Sequence, residues 1–169
     1  MTSSAALHNV FVYGSLLADE VVRVLLKRVP DSFPAVLPGY HRFSIKGRVY
    51  PAILPVENKQ VVGKVLVGIS APELHILDVF EDVEYVRDPV EVYREDNLEK
   101  ILAYAYVWGN KSDPNLYGEW DFEEWKQIHM NDFVNMTVGF KEELEQPEFK
   151  TRVEKYEAYY QQDDNCALP

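Results

Sequence analysis

Residues 33–69 form one long run of β signals, and that run does most to set the fold class. Apolar stretches at 35–37, 43–45 and 52–56 are separated by Pro38-Gly39, Gly47 and Pro51, residue types that bend or end strands. From Gln60 to Ile69 the pattern alternates, and a period of two puts Val61, Val65, Val67 and Ile69 on one face. The expected core is a curled, mostly antiparallel sheet.

Helical signals flank this run. Val10-Phe11-Val12-Tyr13 reads as a short strand running into Gly14-Ser15, after which Ala18, Val21, Val22, Leu25 and Val29 recur at helical spacing. Asp19 and Glu20 stand in that helix's first turn and Pro30 is its expected stop. Ser70-Ala71-Pro72-Glu73 is a capping box with proline in the first turn, opening a helix that runs to about Phe80 or Glu81. Strand patterns return at 85–95 and 100–108, a hairpin turning at Glu95-Asp96-Asn97. In its second arm Ile101, Ala103, Ala105 and Val107 oppose Leu102, Tyr104, Tyr106 and Trp108, and the aromatic stripe reads as core. Beyond Gly109, Asp121 caps a helix with the stripe Phe122, Trp125, Ile128 or His129, Phe133 and Met136. A last helix is expected after Pro147, with Phe149, Val153, Tyr156 and Tyr160 on one side. The expected class is α+β: a sheet-bearing domain over residues 1–110, and a helical extension over 111–169 packed on or beside it.

Charge narrows the function. The chain of 169 residues has 17 basic and 28 acidic side chains, a net charge of −11. Residues 119–169 hold 13 acidic and 5 basic side chains, so the extension carries most of that charge. Such a field repels nucleic-acid backbones and anionic lipid surfaces, and neither is an expected partner. Cys166 is the single cysteine, which excludes a disulfide framework within the chain. The N-terminus lacks a basic, then apolar, leader pattern, and no stretch of about 18 apolar residues follows. These features lead us to expect a cytoplasmic protein, and nothing in them calls for an obligate dimer, so a monomer is expected. His8, His41, His75 and His129 are far apart in sequence and show no metal-ligand spacing.

Two features carry chemistry. Tyr13-Gly14-Ser15-Leu16-Leu17-Ala18 joins a strand to a helix, where glycine permits close backbone approach and successive amides suit an anion. It has neither the lysine of a phosphate-binding loop nor the glycines of a dinucleotide fingerprint. Ser15 reads as a hydrogen-bonding serine, since no nucleophile elbow surrounds it. The second feature is Glu81. At about 100° per residue it falls between Leu74 and Leu77, with Ile76 and Phe80 completing the apolar arc, while Asp78 and Asp82 turn toward solvent. A desolvated carboxylate has a raised pKa and suits a general base. If the helix stops at Phe80, Glu81 instead falls in an exposed turn. Arg48 and Tyr50 stand either at a cavity mouth or in a plain turn.

Three motifs in order, Tyr13-Gly14-Ser15-Leu16, Gly47-Arg48-Val49-Tyr50-Pro51-Ala52 and Leu77-Asp78-Val79-Phe80-Glu81-Asp82-Val83-Glu84-Tyr85, resemble the gamma-glutamylcyclotransferase-like superfamily. The match is to its plant branch of avirulence-induced-gene proteins, over roughly residues 8–110, and the segment Phe149–Glu157 looks like that branch as well. The resemblance implies a small barrel-like α+β fold with a cavity at one end. It implies that the backbone of Tyr13, Gly14, Ser15, Leu16, Leu17 and Ala18 holds the glutamyl end of a small γ-glutamyl substrate. Glu81 would then be the proton acceptor, in an enzyme without metal or cofactor. The implied reaction is cyclotransfer releasing 5-oxoproline, or acyl transfer of a glutamyl or related group. The other reading is a non-catalytic module binding a small acid in a plant stress or defence pathway. Many cyclotransferases carry Asn where this chain has Leu16, others Leu, which leaves the leaving group open.

Overall fold

The structure is a computed structural model and describes residues 6–145. Its frame is a ring of five strands. β1 (His8–Val12) lies between β3 (Ala52–Ile69) and β5 (Lys100–Trp108), antiparallel to the first and parallel to the second. β5 pairs antiparallel with β4 (Tyr85–Arg94), and β4 with β2 (Ser32–Ile45). β2 closes the ring on β3 through an extended antiparallel ladder, Ser32 opposite Leu66 to Phe43 opposite Ala52. A two-residue strand, β6 (Leu116–Tyr117), adds to the far end of β2. The expected curled, mostly antiparallel sheet is present, closed into a barrel.

Closure needs bent strands, and the bends sit at local irregularities. The β2–β3 register shifts between Pro38 and Tyr40, around Gly39 at φ 79°. The strict alternation expected for 60–69 also breaks. Val65 and Leu66 are both buried and Val67 is only half-buried, where the β1–β3 register shifts between His8 and Val10. A bulge puts two successive side chains inward and ends the period-two pattern.

Helices cover the barrel. α1 (Asp19–Leu26) follows a short 3-10 turn, Ser15–Leu17, and ends at Lys27 in the left-handed conformation (φ 62°), before the expected stop at Pro30. α2 (Ala71–Glu81) opens with the expected capping box: the Glu73 amide donates to Ser70 Oγ at 3.3 Å and the Ser70 amide to Glu73 Oε1 at 3.0 Å. Asp121 caps α3 (Phe122–Ile128) as expected, its carboxylate accepting from the Glu124 amide. The helix does not continue in phase, however. The chain breaks at His129 and restarts as α4 (Met130–Leu144). The expected stripe therefore fails at Ile128 and Met136, which are 60% and 39% exposed. Beyond the break the buried face is Phe133, Thr137 and Phe140, the spacing of a fresh helix.

These helices join the barrel's core. Phe133 and Phe140 meet Phe80 edge-on, with ring centres 6.0 and 5.3 Å apart, and Trp125 meets Phe133 at 5.5 Å. α4 thus buttresses the last turn of α2. Among the described residues, no helix is long and apolar enough to cross a membrane. The helix expected after Pro147 lies outside the described residues.

Candidate active site

A narrow cavity of about 30 Å³ opens at the barrel end where β1 stops, space for about two waters. Tyr13 to Leu16 form one wall, Tyr50 and Pro51 the second, and Phe80 and Glu81 the third, with Tyr85 and Tyr106 between them. Glu81 and the Tyr13–Leu16 segment, distant in sequence, line one space. Leu17 and Ala18 do not line it, and their amides are taken up within the turn, by Gly14 O at 2.9 Å and Ser15 O at 3.1 Å. The amides of Gly14, Ser15 and Leu16 have no backbone partner among the described residues. Ser15 itself is buried.

Gly14 is required here by contact. A Cβ on it would stand 2.8 Å from both Cδ and Cγ of Pro51. The two walls touch at that point, and only glycine lets them.

Glu81 is the final residue of α2 and is half-buried. Asp82 follows at φ 66°, ψ −162°, a region that glycine occupies almost alone and that costs another residue on the order of 1–3 kcal/mol. That conformation stops the helix directly after Glu81, and the Asp82 carboxylate accepts from the Val83 amide at 2.7 Å. Phe80, clamped by Phe133 and Phe140, fixes the rotation of the same turn. Asp78, expected to face solvent, is 37% exposed and also accepts from Tyr106 Oη at 2.7 Å and from Arg87 at 2.9 Å. A residue on the polar side of a helix can meet both water and donors from a neighbouring strand.

The tyrosines are fixed as donors. The buried Tyr13 hydroxyl donates to the Tyr106 carbonyl, and burial first, then the Glu81 charge, push its pKa well up. Burial and then the bond to Asp78 push Tyr106 up in the same way, with the Glu81 charge adding to it. Both phenols stay protonated at any physiological pH. Tyr85 donates to the Pro51 carbonyl at 2.7 Å, tying β4 to the second wall. At the mouth, Tyr50 donates to Glu84 at 3.1 Å, and Arg48 bonds both Tyr50 and Glu84, the latter at 2.7 Å. Of this segment Tyr50 lines the cavity, and Arg48 reaches it only through Tyr50. The alternation of β5 makes Tyr106 core, and it is core and cavity wall at once. Its alternation marks which face it occupies, but barrel closure decides what lies across from it.

A closed five-stranded α+β barrel flanked by helices is the fold of gamma-glutamyl cyclotransferase structures, one of which matches at 15% identity with a TM-score of 0.52, covering 78% of this chain and 86% of that one. The chain belongs to the family described as gamma-glutamyl cyclotransferase, AIG2-like, whose model matches residues 10–127. AIG2-like protein D of Arabidopsis thaliana is 57% identical over 148 residues, 87% of this chain and 97% of that protein. The solution structure of another Arabidopsis thaliana protein is 46% identical with a TM-score of 0.65, covering 86% of this chain and 98% of that one. An AIG2-like protein from Mus musculus shares the fold at 19% identity and a TM-score of 0.57, covering 68% and 88% of the two chains.

Proposed function

We propose that this protein is a γ-glutamyl cyclotransferase in which Glu81 is the general base. The observation that carries the reading is the cavity itself, where Glu81 and the Tyr13–Leu16 segment line one small space. Membership of the gamma-glutamyl cyclotransferase, AIG2-like family supports it.

In this reading the amides of Gly14, Ser15 and Leu16 hold the α-carboxylate of a γ-glutamyl compound. Glu81 removes a proton from the α-ammonium group, and the freed nitrogen attacks the γ-carbonyl carbon. As the γ-amide bond breaks, the protonated Glu81 gives its proton to the leaving nitrogen, and the ring nitrogen passes its second proton by way of the freed Glu81 carboxylate to the departing amine. The products are 5-oxoproline and an amine or amino acid, and no water is consumed. An α-ammonium of pKa ~8 and an ordinary glutamate of ~4.3 are mismatched by about 5 kcal/mol. The fixed geometry of a five-membered ring closure offsets part of that barrier. Tyr13 and Tyr106, held protonated, put neutral walls beside the base.

The test is 5-oxoproline release from a panel of γ-glutamyl amines and peptides by the wild type and by Glu81→Gln. The substitution keeps volume and polarity but cannot accept the proton. A fall of roughly 100-fold or more in kcat is expected. Equal release by both proteins overturns the role of Glu81. No release by either, with saturable binding of 5-oxoproline, turns the reading to a module that binds a small acid.

A further inference from the structure

We propose that Arg42 is the positioning residue of the glutamyl-binding loop, gripping the Tyr13 carbonyl and thereby aiming the Gly14 amide into the cavity. The inference rests on the reading of that loop given above. Arg42 sits on β2, opposite Ile53, outside the cavity lining. Its Nη1 donates to the Tyr13 carbonyl at 2.8 Å and to the Val62 carbonyl at 3.2 Å. The Tyr13 carbonyl and the Gly14 N–H belong to one planar trans peptide, so the two point in opposite directions. A guanidinium that holds the carbonyl on one side fixes where the amide points on the other. The bond is charge-assisted, hence strong, and it polarises the peptide so that its N–H becomes a better donor to an anion.

The guanidinium is itself held in place. It lies over the Trp120 ring, 5.4 Å from the ring centre, and the Arg42 carbonyl accepts from the Trp120 amide at 3.2 Å. Its Nε is buried with no hydrogen-bond partner among the described residues. A buried N–H without a partner is destabilising, so the chain holds this arginine at a cost where a hydrophobic residue would pack without one. The Trp120 indole also donates to the Val49 carbonyl at 2.9 Å, next to Tyr50 and Pro51 of the opposite wall. One stacked pair therefore fixes the backbone on both sides of the Gly14–Pro51 contact. A lysine cannot reproduce this, because it offers a point charge where the site uses a planar fork on an indole.

The experiment is a titration of the isotopically labelled full chain with glutarate, a small dicarboxylate, followed by the Gly14, Ser15 and Leu16 amide resonances. Wild type, Arg42→Met and Arg42→Lys are compared, each with its thermal midpoint. The wild-type amides should shift saturably, with affinity about ten-fold weaker in Arg42→Met and intermediate in Arg42→Lys. In turnover, KM should rise by about ten-fold while kcat stays within about three-fold, the mark of lost ground-state binding. Unmoved amides in the wild type overturn the loop reading and this inference with it. Amides that move in the wild type and bind glutarate equally well in both variants overturn the role of Arg42 alone. If Arg42→Met does not fold, Arg42→Lys carries the comparison, and an affinity equal to wild type refutes the proposal.

Discussion

Replacing Gly14 by alanine isolates the contact between the two cavity walls. The new Cβ would stand 2.8 Å from Cδ and Cγ of Pro51, roughly 0.7–1.2 Å inside ordinary carbon contact at about 3.5–4.0 Å. A proline ring has no rotamer by which to retreat, and the Pro51 carbonyl is tied to the Tyr85 hydroxyl at 2.7 Å. The strain must be taken up by the wall as a whole, as in other overpacked sites, at about 1–3 kcal/mol. For a chain of this size each kcal/mol lowers Tm by roughly 2–4 °C. Gly139→Ala is the matched control. It lies inside α4 with nothing within 4 Å of its Cβ position, so alanine should stabilise by about 0.5–1 kcal/mol through helix propensity. Thermal denaturation of the two variants should therefore give shifts of opposite sign, and only Gly14→Ala should impair 5-oxoproline release. A Gly14→Ala protein with the wild-type Tm and wild-type kinetics would refute the claim that the walls touch there.

Two further outcomes follow from the same geometry. The bond from Arg28 first, opposed by partial burial and aided by the Ser70 amide, holds the Glu73 carboxyl below the usual carboxylate range. A depressed native pKa contributes stability above the unfolded value of ~4.3 and loses it as pH falls through the native value. Urea melts of wild type and Glu73→Gln should thus differ near neutrality and converge in acid, and a gap independent of pH would contradict the assignment. Lys27 ends α1 at φ 62° and is largely exposed, so Lys27→Gly should raise stability by about 0.5–1 kcal/mol, read as a Tm increase of about 1–4 °C. An unchanged or lower Tm would show that its surface ion pair with Glu145 outweighs the backbone conformation.

Local signals were legible in the sequence wherever a few neighbouring residues decide the outcome. The capping box at Ser70–Glu73, the Asp121 cap and the hairpin at 95–97 depend on contacts within a few positions. The helical period puts Glu81 beside the apolar arc of α2, and Glu81, half-buried, lines the cavity. Properties that arise from distant parts meeting were not legible. Val67 leaves the buried face because a bulge forms against β1, and Met136 is exposed because the break at His129 resets the helix phase. The bonds of the partly exposed Asp78 to Arg87 and Tyr106 were not legible, because those partners arrive from β4 and β5. Arg42 carried no sequence signal at all. Its role depends on the Tyr13 carbonyl, 29 positions away, and on Trp120, which comes from beyond the hairpin.

The place of β1 in the ring has a consequence for how the molecule comes into being. It is the first of the described strands, yet its parallel neighbour, met at Val10 opposite Tyr104, emerges more than ninety residues later. Until then β1 can pair only with β3, and the barrel has two open edges where strands of other chains could add. Closing so long a loop is a slow, late step. The same seam brings the Tyr13 hydroxyl to the Tyr106 carbonyl, so the cavity cannot exist in a partly closed chain. A growing polypeptide halted before residue 100 would hold the glycine turn and the glutamate but no pocket between them, and the site itself is a marker of completed folding.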